Sequence, residues 1–224
     1  MTKQISNSHN HPLLITPSLL NSWGYMWECV NYVRESEDDK VCLEDKKDEA
    51  IKEARESFLN ALNKIYVDNE YMKLGREFEE ECYQGKNCVS PIIEGGCYQI
   101  AGSKRVTVDG IDFVMYGKLD VLKGGVVYDI KRVQMYKPQK YIGSYQHGFY
   151  LDLFPRAYKF EYLVYDGNEL HRETYYRGQY VETTKVISDF IKWLKENNLF
   201  EIYKEKWRSK YAWWKIVGIN SNWT

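Results

Sequence analysis

A β-hairpin signal lies near the middle of the chain. There the sequence reads Tyr116-Gly-Lys-Leu-Asp120-Val-Leu-Lys-Gly-Gly-Val-Val-Tyr-Asp129-Ile-Lys131-Arg132. Two runs of β-branched, aromatic and aliphatic residues flank a Gly-Gly pair, and glycine readily takes the positive φ angles that a two-residue hairpin turn needs. We therefore predict a hairpin with Gly124 and Gly125 at its turn.

The register of this hairpin brings charged side chains together. A two-residue loop sets Asp120 opposite Asp129, with Cβ atoms roughly 4.5–5.5 Å apart. Lys131 projects from the same face because side chains alternate along a strand. Opposed carboxylates call for a cation, and a hard divalent ion such as Mg²⁺, held with water and a substrate phosphate, is the natural candidate. The alternative is an ordinary exposed hairpin whose charges face water.

Length and composition indicate one globular domain. The chain has 224 residues, 28% of them charged and 44% hydrophobic, and nothing rich in Pro, Gly or Ser divides it. We predict a disordered tail over residues 1–12 and a single domain over 13–224. The net charge of −1 does not indicate a nucleic-acid-binding domain, so a local basic patch would have to bind DNA. The 20 Tyr and 7 Trp are more often core than stacking platforms.

Targeting and cysteine signals are weak. The polar N-terminus lacks an apolar core, and no apolar run is long enough to span a bilayer, so we expect a soluble, cytoplasmic protein without a membrane partner. The five cysteines are an odd number without paired CxxC spacing. They are expected to be reduced thiols rather than a disulfide framework or a zinc site.

Periodicity and turn residues predict the remaining elements. Thr16 caps a first helix that has Pro17 at its first position. A charged amphipathic helix ends near Tyr66, and a further helix carries three consecutive glutamates, Glu79 to Glu81, one of which could point inward. The other predicted elements are strands at 97–108, 111–122 and 126–134 in an antiparallel meander, a helix from Pro138 to about Leu153, strands at 158–166 and 170–176, and helices at 183–197 and from Phe200 to about Tyr211.

The C-terminal helix and its tail interleave basic and aromatic side chains. Such a pattern can clamp phosphates and stack bases. An amphipathic helix that packs its aromatic residues on the core explains the same pattern at least as well. The residues concerned are Lys204, Lys206, Trp207, Arg208, Lys210, Tyr211, Trp213, Trp214 and Lys215.

Four separated pieces, in this order along residues 14 to 152, resemble the RecB-like branch of the PD-(D/E)XK nuclease superfamily. The pieces are Thr16-Pro-Ser-Leu-Leu-Asn-Ser-Trp through Cys29, Gly75-Arg-Glu-Phe-Glu79, Gly117-Lys-Leu-Asp120 with Tyr128-Asp129-Ile-Lys131, and Gln146-His-Gly-Phe-Tyr150. The resemblance implies an α/β fold with a restriction-endonuclease-like core, in which helices flank a mixed central sheet.

The resemblance also assigns roles to residues. It implies that Asp120 and Asp129 are the principal ligands of Mg²⁺ or Mn²⁺, with Glu79 and the backbone carbonyl of Ile130 as further ligands. Lys131 would orient or help to deprotonate the attacking water and stabilise charge on the phosphate. Gln146 and Tyr150 would support the active site and the DNA strand. The candidate DNA-binding residues are Arg76, Arg132, Lys137, Lys206 and Arg208.

The implied function is metal-dependent hydrolysis of DNA phosphodiester bonds, with an exonuclease of phage-type recombination, repair or processing as the leading form. Some relatives carry an iron–sulfur cluster on one cysteine after the first helix and three near the C-terminus. Cys29 has the first position, but no cysteine follows Cys97, so a cluster is not expected. An endonuclease or junction resolvase, and a catalytically silent DNA-binding module, are the alternatives. A homo-oligomer and a single-strand annealing or other recombination partner also fit the resemblance.

Overall fold

The computed structural model describes residues 11–35 and 44–210. The described chain forms six strands and seven helices. In order they are β1 (Leu13–Ile15), α1 (Pro17–Glu35), α2 (Glu44–Leu62), α3 (Glu70–Tyr83), α4 (Ser90–Ile93), β2 (Cys97–Val108), β3 (Ile111–Lys123), β4 (Val126–Arg132), α5 (Gln146–Leu153), β5 (Lys159–Tyr165), β6 (Leu170–Tyr176), α6 (Thr183–Glu196) and α7 (Phe200–Lys206).

The six strands form one mixed sheet. Its order is β1-β3-β4-β5-β6, and β2 pairs with the other edge of β3. β1 runs parallel to β3 and β4 runs parallel to β5, whereas the remaining pairs are antiparallel. Helices cover both faces, so the predicted α/β fold with a mixed central sheet flanked by helices is confirmed.

Two hydrophobic layers hold the helices on the sheet. The larger layer joins one face to α1, α2, α5, α6 and α7, with Phe58, Phe149 and Phe190 fully buried in it. The smaller layer joins the opposite face to α3 and α4, where the ring of Phe78 stacks on Tyr165. Burial of such apolar side chains is the main stabilising contribution to a fold of this size.

The predicted hairpin is confirmed. Gly124 and Gly125 have φ angles of 58° and 76°, as a two-residue turn of this hand requires. Lys123 pairs with Val126, which is the predicted register. β2, β3 and β4 form the predicted antiparallel meander.

Several predicted boundaries are wrong. No helix begins at Pro138. Instead, the chain makes successive turns in which the carbonyl oxygens of Lys137, Gln139 and Tyr141 each accept a hydrogen bond from the N–H three residues later. A helix cannot continue there because Gln139 takes a left-handed φ of 62°, and α5 begins only at Gln146. The short elements β1 and α4 were not predicted from the sequence.

Two of the predicted helices and one of the predicted strands extend beyond the ends that the structure gives these elements. α2 ends at Leu62 and not near Tyr66, since Lys64 has a φ of 57° and Tyr66 is exposed. α7 ends at Lys206, after which Arg208 bridges to β1. β4 ends at Arg132 and not at residue 134.

The chain ends differ from the prediction where they are described. Residues 1–10 of the predicted disordered tail lie outside the described residues, but His11 and Pro12 both bond the backbone of Ser209, at 3.1 and 2.8 Å. Cys82, Cys88 and Cys97 are free thiols. Within residues 11–35 and 44–210, no helix is long and apolar enough to cross a membrane.

Candidate active site

The sheet opens at Asp120. β2 occupies one edge of β3, while β1 and β4 share the other edge, pairing with residues 113–115 and 121–123. Residues 116–120 therefore have no strand beside them on that edge in the described structure. The ladder to β2 also omits one pair, Gln99 and Asp120, at the point where Gln99 has a φ of 53°. The Asp120 carboxylate therefore lies at the point where β3 is paired with neither β2 nor β4.

Asp129 lies in the interior beside this opening. It is 3% exposed, and two side chains contact its carboxylate. The Lys131 ammonium is 2.5 Å from Oδ2, and the Gln146 amide donates a hydrogen bond to Oδ1. The prediction that Asp129 and Lys131 share a face is therefore confirmed, and α5 adds the predicted Gln146 to them.

Asp120 is half-buried and binds β4 through its side chain. The N–H of Ile130 donates to Asp120 Oδ2 at 2.8 Å, so the carboxylate takes the donor that continued strand pairing would have used. The register predicted for Asp120 and Asp129 is kept, but the strand pairing stops one residue earlier, at Val121 and Tyr128. The predicted role of the Ile130 carbonyl as a metal ligand stays a prediction.

The electrostatics of this group are unfavourable for two bare carboxylates. Burial, followed by repulsion from Asp129, raises the pKa of Asp120 well above its ordinary value. Burial also raises the pKa of Asp129, although Lys131 opposes that shift. Burial alone would lower the pKa of Lys131, but the charges of Asp129 and Asp120 raise it above its ordinary value. Lys131 is therefore an ammonium at neutral pH.

Glu79 approaches the group from α3. It is half-buried, whereas Glu80 and Glu81 are exposed, so one of the three glutamates does point inward. Its Oε1 accepts a hydrogen bond from the Tyr83 hydroxyl and one of 2.5 Å from the Gln99 amide. Its charge contributes to the raised pKa of Asp120.

Tyr150 does not reach the carboxylates. Its hydroxyl donates to the carbonyl oxygen of Lys118 at 2.7 Å, on the edge of β3 that has no neighbouring strand. A Cβ atom on Gly117 would lie 2.7 Å from the Tyr150 ring, so glycine is needed for this close approach. Tyr150 is a positioning residue that joins α5 to the strand carrying Asp120.

Three members of this site were not predicted from the sequence. Gln99 and Tyr83 hold Glu79, and the Gln99 amide also bonds the Tyr83 hydroxyl at 2.7 Å. Asn21 on α1 donates to Gln146 Oε1 at 3.5 Å and accepts from the N–H of Tyr145 at 2.9 Å. Gln99 and Asn21 act through contacts far away in the sequence, which no local signal marks. Tyr83 lies four residues after Glu79 on the same helix, and this spacing, which puts both side chains on one face, is the signal that could have found it.

In the described part of the chain, none of the predicted DNA-binding residues contacts the carboxylates of Asp120 and Asp129. Arg76 bonds Asp68 and Tyr66, and Arg132 lies over the Tyr165 ring on the α3 side of the sheet. Lys206 pairs with Glu205, and Arg208 bridges to β1 at Leu13. Lys137 is exposed in the turns that follow β4.

The aromatic part of the C-terminal pattern belongs to the core where it is described. Trp207 is buried, and its Nε1 donates to the carbonyl oxygen of Leu62 at 2.7 Å. The packing alternative therefore holds for this residue. Tyr211, Trp213, Trp214 and Lys215 lie outside the described residues, as do Cys42 and the side chain of Cys29.

The donor set fits a hard divalent cation. Within the described ranges, no three His, Cys, Asp or Glu side chains form a ready metal-binding group. Mg²⁺ nevertheless needs only one or two carboxylates, with water and substrate oxygens as its other ligands. Asp120 and Asp129 supply such oxygens. Burial raises the pKa of both, and repulsion from Asp129 raises that of Asp120 further, so a bound cation would stabilise the charged forms.

Comparison with known proteins defines the class of fold. The crystal structure of SSO0001 is similar to this chain with a TM-score of 0.50 and 16% sequence identity, over 82% of this chain and 77% of that one. At this identity the likeness shows the fold alone. No family model matches the sequence, and no curated protein matches it significantly.

Proposed function

We propose that this protein is a Mg²⁺- or Mn²⁺-dependent DNA nuclease, with exonuclease action on DNA ends as its leading form. The observation that carries the proposal is the buried Asp129, which contacts an ammonium and an amide donor beside a second carboxylate at an opening in the sheet. Perturbed carboxylates paired with a lysine at such an opening are typical of catalytic sites.

The roles of the residues follow from their contacts. Asp120 and Asp129 would hold the cation, and Glu79 would add negative charge or a further ligand. When bound, the cation withdraws charge from the scissile phosphate and lowers the pKa of water. Lys131, as an ammonium, would stabilise the charge that develops on the phosphate rather than act as a base.

The other residues of the site position these groups. Gln146 fixes the Asp129 carboxylate, Asn21 orients the Gln146 amide, and Tyr150 holds β3 against α5. Preorganised donors of this kind reduce the reorganisation that the reaction would otherwise require. Action in the cytoplasm, a homo-oligomer and a recombination partner stay predictions.

Cleavage of end-labelled linear duplex DNA and of a closed circular single strand tests the proposal. Wild type is compared with Asp129→Asn in Mg²⁺, Mn²⁺ and EDTA. Glu161→Gln is the matched control, because Glu161 is also a buried strand carboxylate paired with a lysine, but on the opposite face of the sheet.

Metal-dependent loss of the linear duplex in wild type and in Glu161→Gln, but not in Asp129→Asn, is the expected result. Sparing of the circle identifies an exonuclease, and its cleavage identifies an endonuclease. A retained gel shift without cleavage in either metal would overturn the nuclease proposal in favour of a DNA-binding module.

A further inference from the structure

A cavity of about 590 Å³ lies at the start of α5, and we call it the α5 cavity. It is enclosed by residues 142–148, by the turn at residues 178–181 that leads from β6 to α6, and by side chains of α1 and α6. Small-molecule sites in proteins have volumes of roughly 300–1,000 Å³, so the α5 cavity has the size of such a site. It is separate from Asp120 and Asp129, which do not line it.

The aromatic walls of the α5 cavity are held in place by contacts behind them. The Tyr145 ring stacks on Trp23 with centroids 5.9 Å apart, and the Tyr180 hydroxyl donates to Asp152 at 2.9 Å. A Cβ atom on Gly148 would lie 2.6 Å from the Tyr180 ring, so glycine is needed for this approach. Because these rings are fixed before a ligand arrives, little ordering would oppose its binding.

His147 is a buried polar side chain that lines the α5 cavity and lacks a partner. It is 3% exposed, and its ring stacks on Tyr175 with centroids 4.1 Å apart. Within the described residues, its Nδ1 makes no hydrogen bond. A buried polar atom without a partner costs free energy, and native proteins seldom leave one unpaired. A ligand in the cavity that bonds this nitrogen would remove the cost.

The lining of the α5 cavity is uncharged. Among the described residues that line it, none is an Asp, Glu, Lys or Arg. Burial lowers the pKa of His147 to about 4, although the charge of Glu173 opposes the shift, so the imidazole is neutral near pH 7. A neutral imidazole offers one N–H donor and one bare nitrogen acceptor. The apolar part of the lining comes from Leu20, Ile142, Val181 and Val186.

These observations define the chemistry of the ligand. A phosphate, carboxylate or ammonium group would lose its hydration in the cavity without meeting an opposite charge. A flat neutral ring would instead contact the tyrosine walls and the aliphatic side chains, and aromatic contacts of this kind are favourable. A ring nitrogen on its edge would complete the hydrogen bonding of His147.

We infer that the α5 cavity is a binding site for a small, neutral heteroaromatic molecule, which bonds His147 through a ring nitrogen, and that its occupancy is sensed at Gln146. Tyr145 and His147, the two neighbours of Gln146 in the sequence, both line the cavity. Asn21 accepts from the Tyr145 N–H at 2.9 Å and donates to Gln146 Oε1 at 3.5 Å. Movement of these walls would therefore reach the amide that contacts Asp129.

NMR titration with indazole tests the inference. Indazole is a neutral bicyclic ring with an N–H donor beside a bare nitrogen, so it can pair with either tautomer of His147. Indene, which has the same shape without nitrogen, and an indazole carboxylate, which adds a charge, are the comparison ligands. All titrations are made in EDTA without DNA.

The central variant is His147→Phe, which keeps a ring against Tyr175 but removes both nitrogens. The matched control is His171→Phe, because the His171 ring also stacks on a tyrosine, Tyr136, with centroids 4.1 Å apart, but does not line the cavity. Val181→Trp is a second test of the place of binding. Val181 lines the cavity and is 56% exposed, so a larger side chain can block the entrance without disturbing the core. Circular dichroism checks that each variant folds.

Wild type and His171→Phe are expected to bind indazole saturably, with shifts in the signals of the lining residues and of the Gln146 side-chain amide. His147→Phe should lower the affinity by about fivefold or more, as loss of one ordinary hydrogen bond would. Val181→Trp should abolish binding. Indene and the carboxylate should each bind wild type at least about fivefold more weakly than indazole.

Other results would contradict the inference. Absence of saturable binding to wild type, or equal affinities for wild type and His147→Phe, would overturn the ligand site. Tighter binding of the carboxylate would overturn the assignment of a neutral ligand. Shifts in the cavity without a shift of the Gln146 amide would contradict the coupling. Because neither metal nor DNA is present, each of these outcomes is independent of whether the protein cleaves DNA.

Discussion

At the scale of single residues, the structure distinguishes between two roles for Lys131, that of a permanent positive charge and that of a base. Its ammonium is 2.5 Å from Asp129, and its side chain is still 32% exposed, so it can face both the carboxylates and a substrate. Its raised pKa favours a permanent cation over a base. The role therefore depends on charge, and removal of the charge should remove the activity.

Lys131→Ala is expected to lower the cleavage rate at least about 100-fold, because one preorganised charge on the phosphate is worth this much in comparable sites. Lys159→Ala is the matched control, since Lys159 also pairs with a buried strand carboxylate, Glu161, at 2.9 Å. Single-turnover cleavage measures the rate, and circular dichroism measures folding. A similar loss of rate in both variants would show that stability, and not Lys131 chemistry, is responsible.

Asp120 links the site to the stability of the fold. Its pKa is raised in the folded protein, so the folded state binds more protons than the unfolded state between the ordinary and the raised value. Stability is therefore lost as pH rises through that window. Asn at this position can still accept the Ile130 N–H bond but carries no charge.

Asp120→Asn should accordingly raise the free energy of unfolding in EDTA by about 1 kcal/mol, which raises the melting temperature by roughly 2–4 °C for a chain of this size. The gain should grow as pH rises from the ordinary pKa of an aspartate towards the raised pKa of Asp120, whereas added Mg²⁺ should stabilise wild type more than the variant. Thermal melts across pH, with and without Mg²⁺, measure both effects. A gain that is constant with pH would contradict the raised pKa.

At the scale of elements, α5 compensates for the missing strand beside β3. The Tyr150 hydroxyl bonds the Lys118 carbonyl where β1 has ended and β4 has not yet begun to pair. This hydrogen bond is partly buried, and a typical intramolecular hydrogen bond contributes about 1 kcal/mol to stability. The bond thus contributes to stability and also fixes the distance between Gln146 and Asp120.

Tyr150→Phe is expected to lower the free energy of unfolding by about 1 kcal/mol, because the partly buried hydrogen bond to the Lys118 carbonyl is lost. Tyr165→Phe is the control, since its hydroxyl bonds Gly167 in an exposed turn and water can replace it. Urea denaturation gives the midpoint and the slope for each variant. Equal midpoints for the two variants would show that Tyr150 does not support β3.

Local signals explain which elements could be predicted. The hairpin and β6 follow from alternation and turn residues, and α6 follows from its strong amphipathic period, so their bounds agree closely with the structure. Residues 138–145 were mistaken for the start of a helix because Pro138 resembles a helix start, while the left-handed Gln139 has no sequence signal. β1, only three residues long, forms because β3 offers it an edge.

At the scale of the whole molecule, the distribution of charge bears on how the proposed DNA substrate would be bound. The net charge is −1, so binding must depend on local groups. Lys206 pairs with Glu205 within α7, whereas no carboxylate of the described residues pairs with Lys137 or Lys140, which are exposed between β4 and α5. For the proposed DNA substrate, Lys137 and Lys140 would therefore be more available to phosphates than Lys206 is.

Lys137→Glu with Lys140→Glu should weaken DNA binding and reduce the slope of log K against log salt by roughly two, about one for each phosphate that a lysine no longer neutralises. Lys206→Glu with Arg208→Glu should leave the slope nearly unchanged, because Lys206 already pairs with Glu205 and Arg208 bridges to β1. Fluorescence anisotropy over a salt series in EDTA measures both slopes. A larger change of slope for Lys206→Glu with Arg208→Glu than for Lys137→Glu with Lys140→Glu would show that the C-terminal patch binds DNA.

The sequence by itself determined the hairpin, its register and the chemical identity of Asp120, Asp129, Lys131 and Gln146, because turn conformation and side-chain alternation depend on neighbours within a few residues. Only the tertiary structure decided where β3 leaves its partners and how Gln99 and Asn21 support the site. These features result from contacts between distant segments, and no local pattern encodes the packing that brings such segments together.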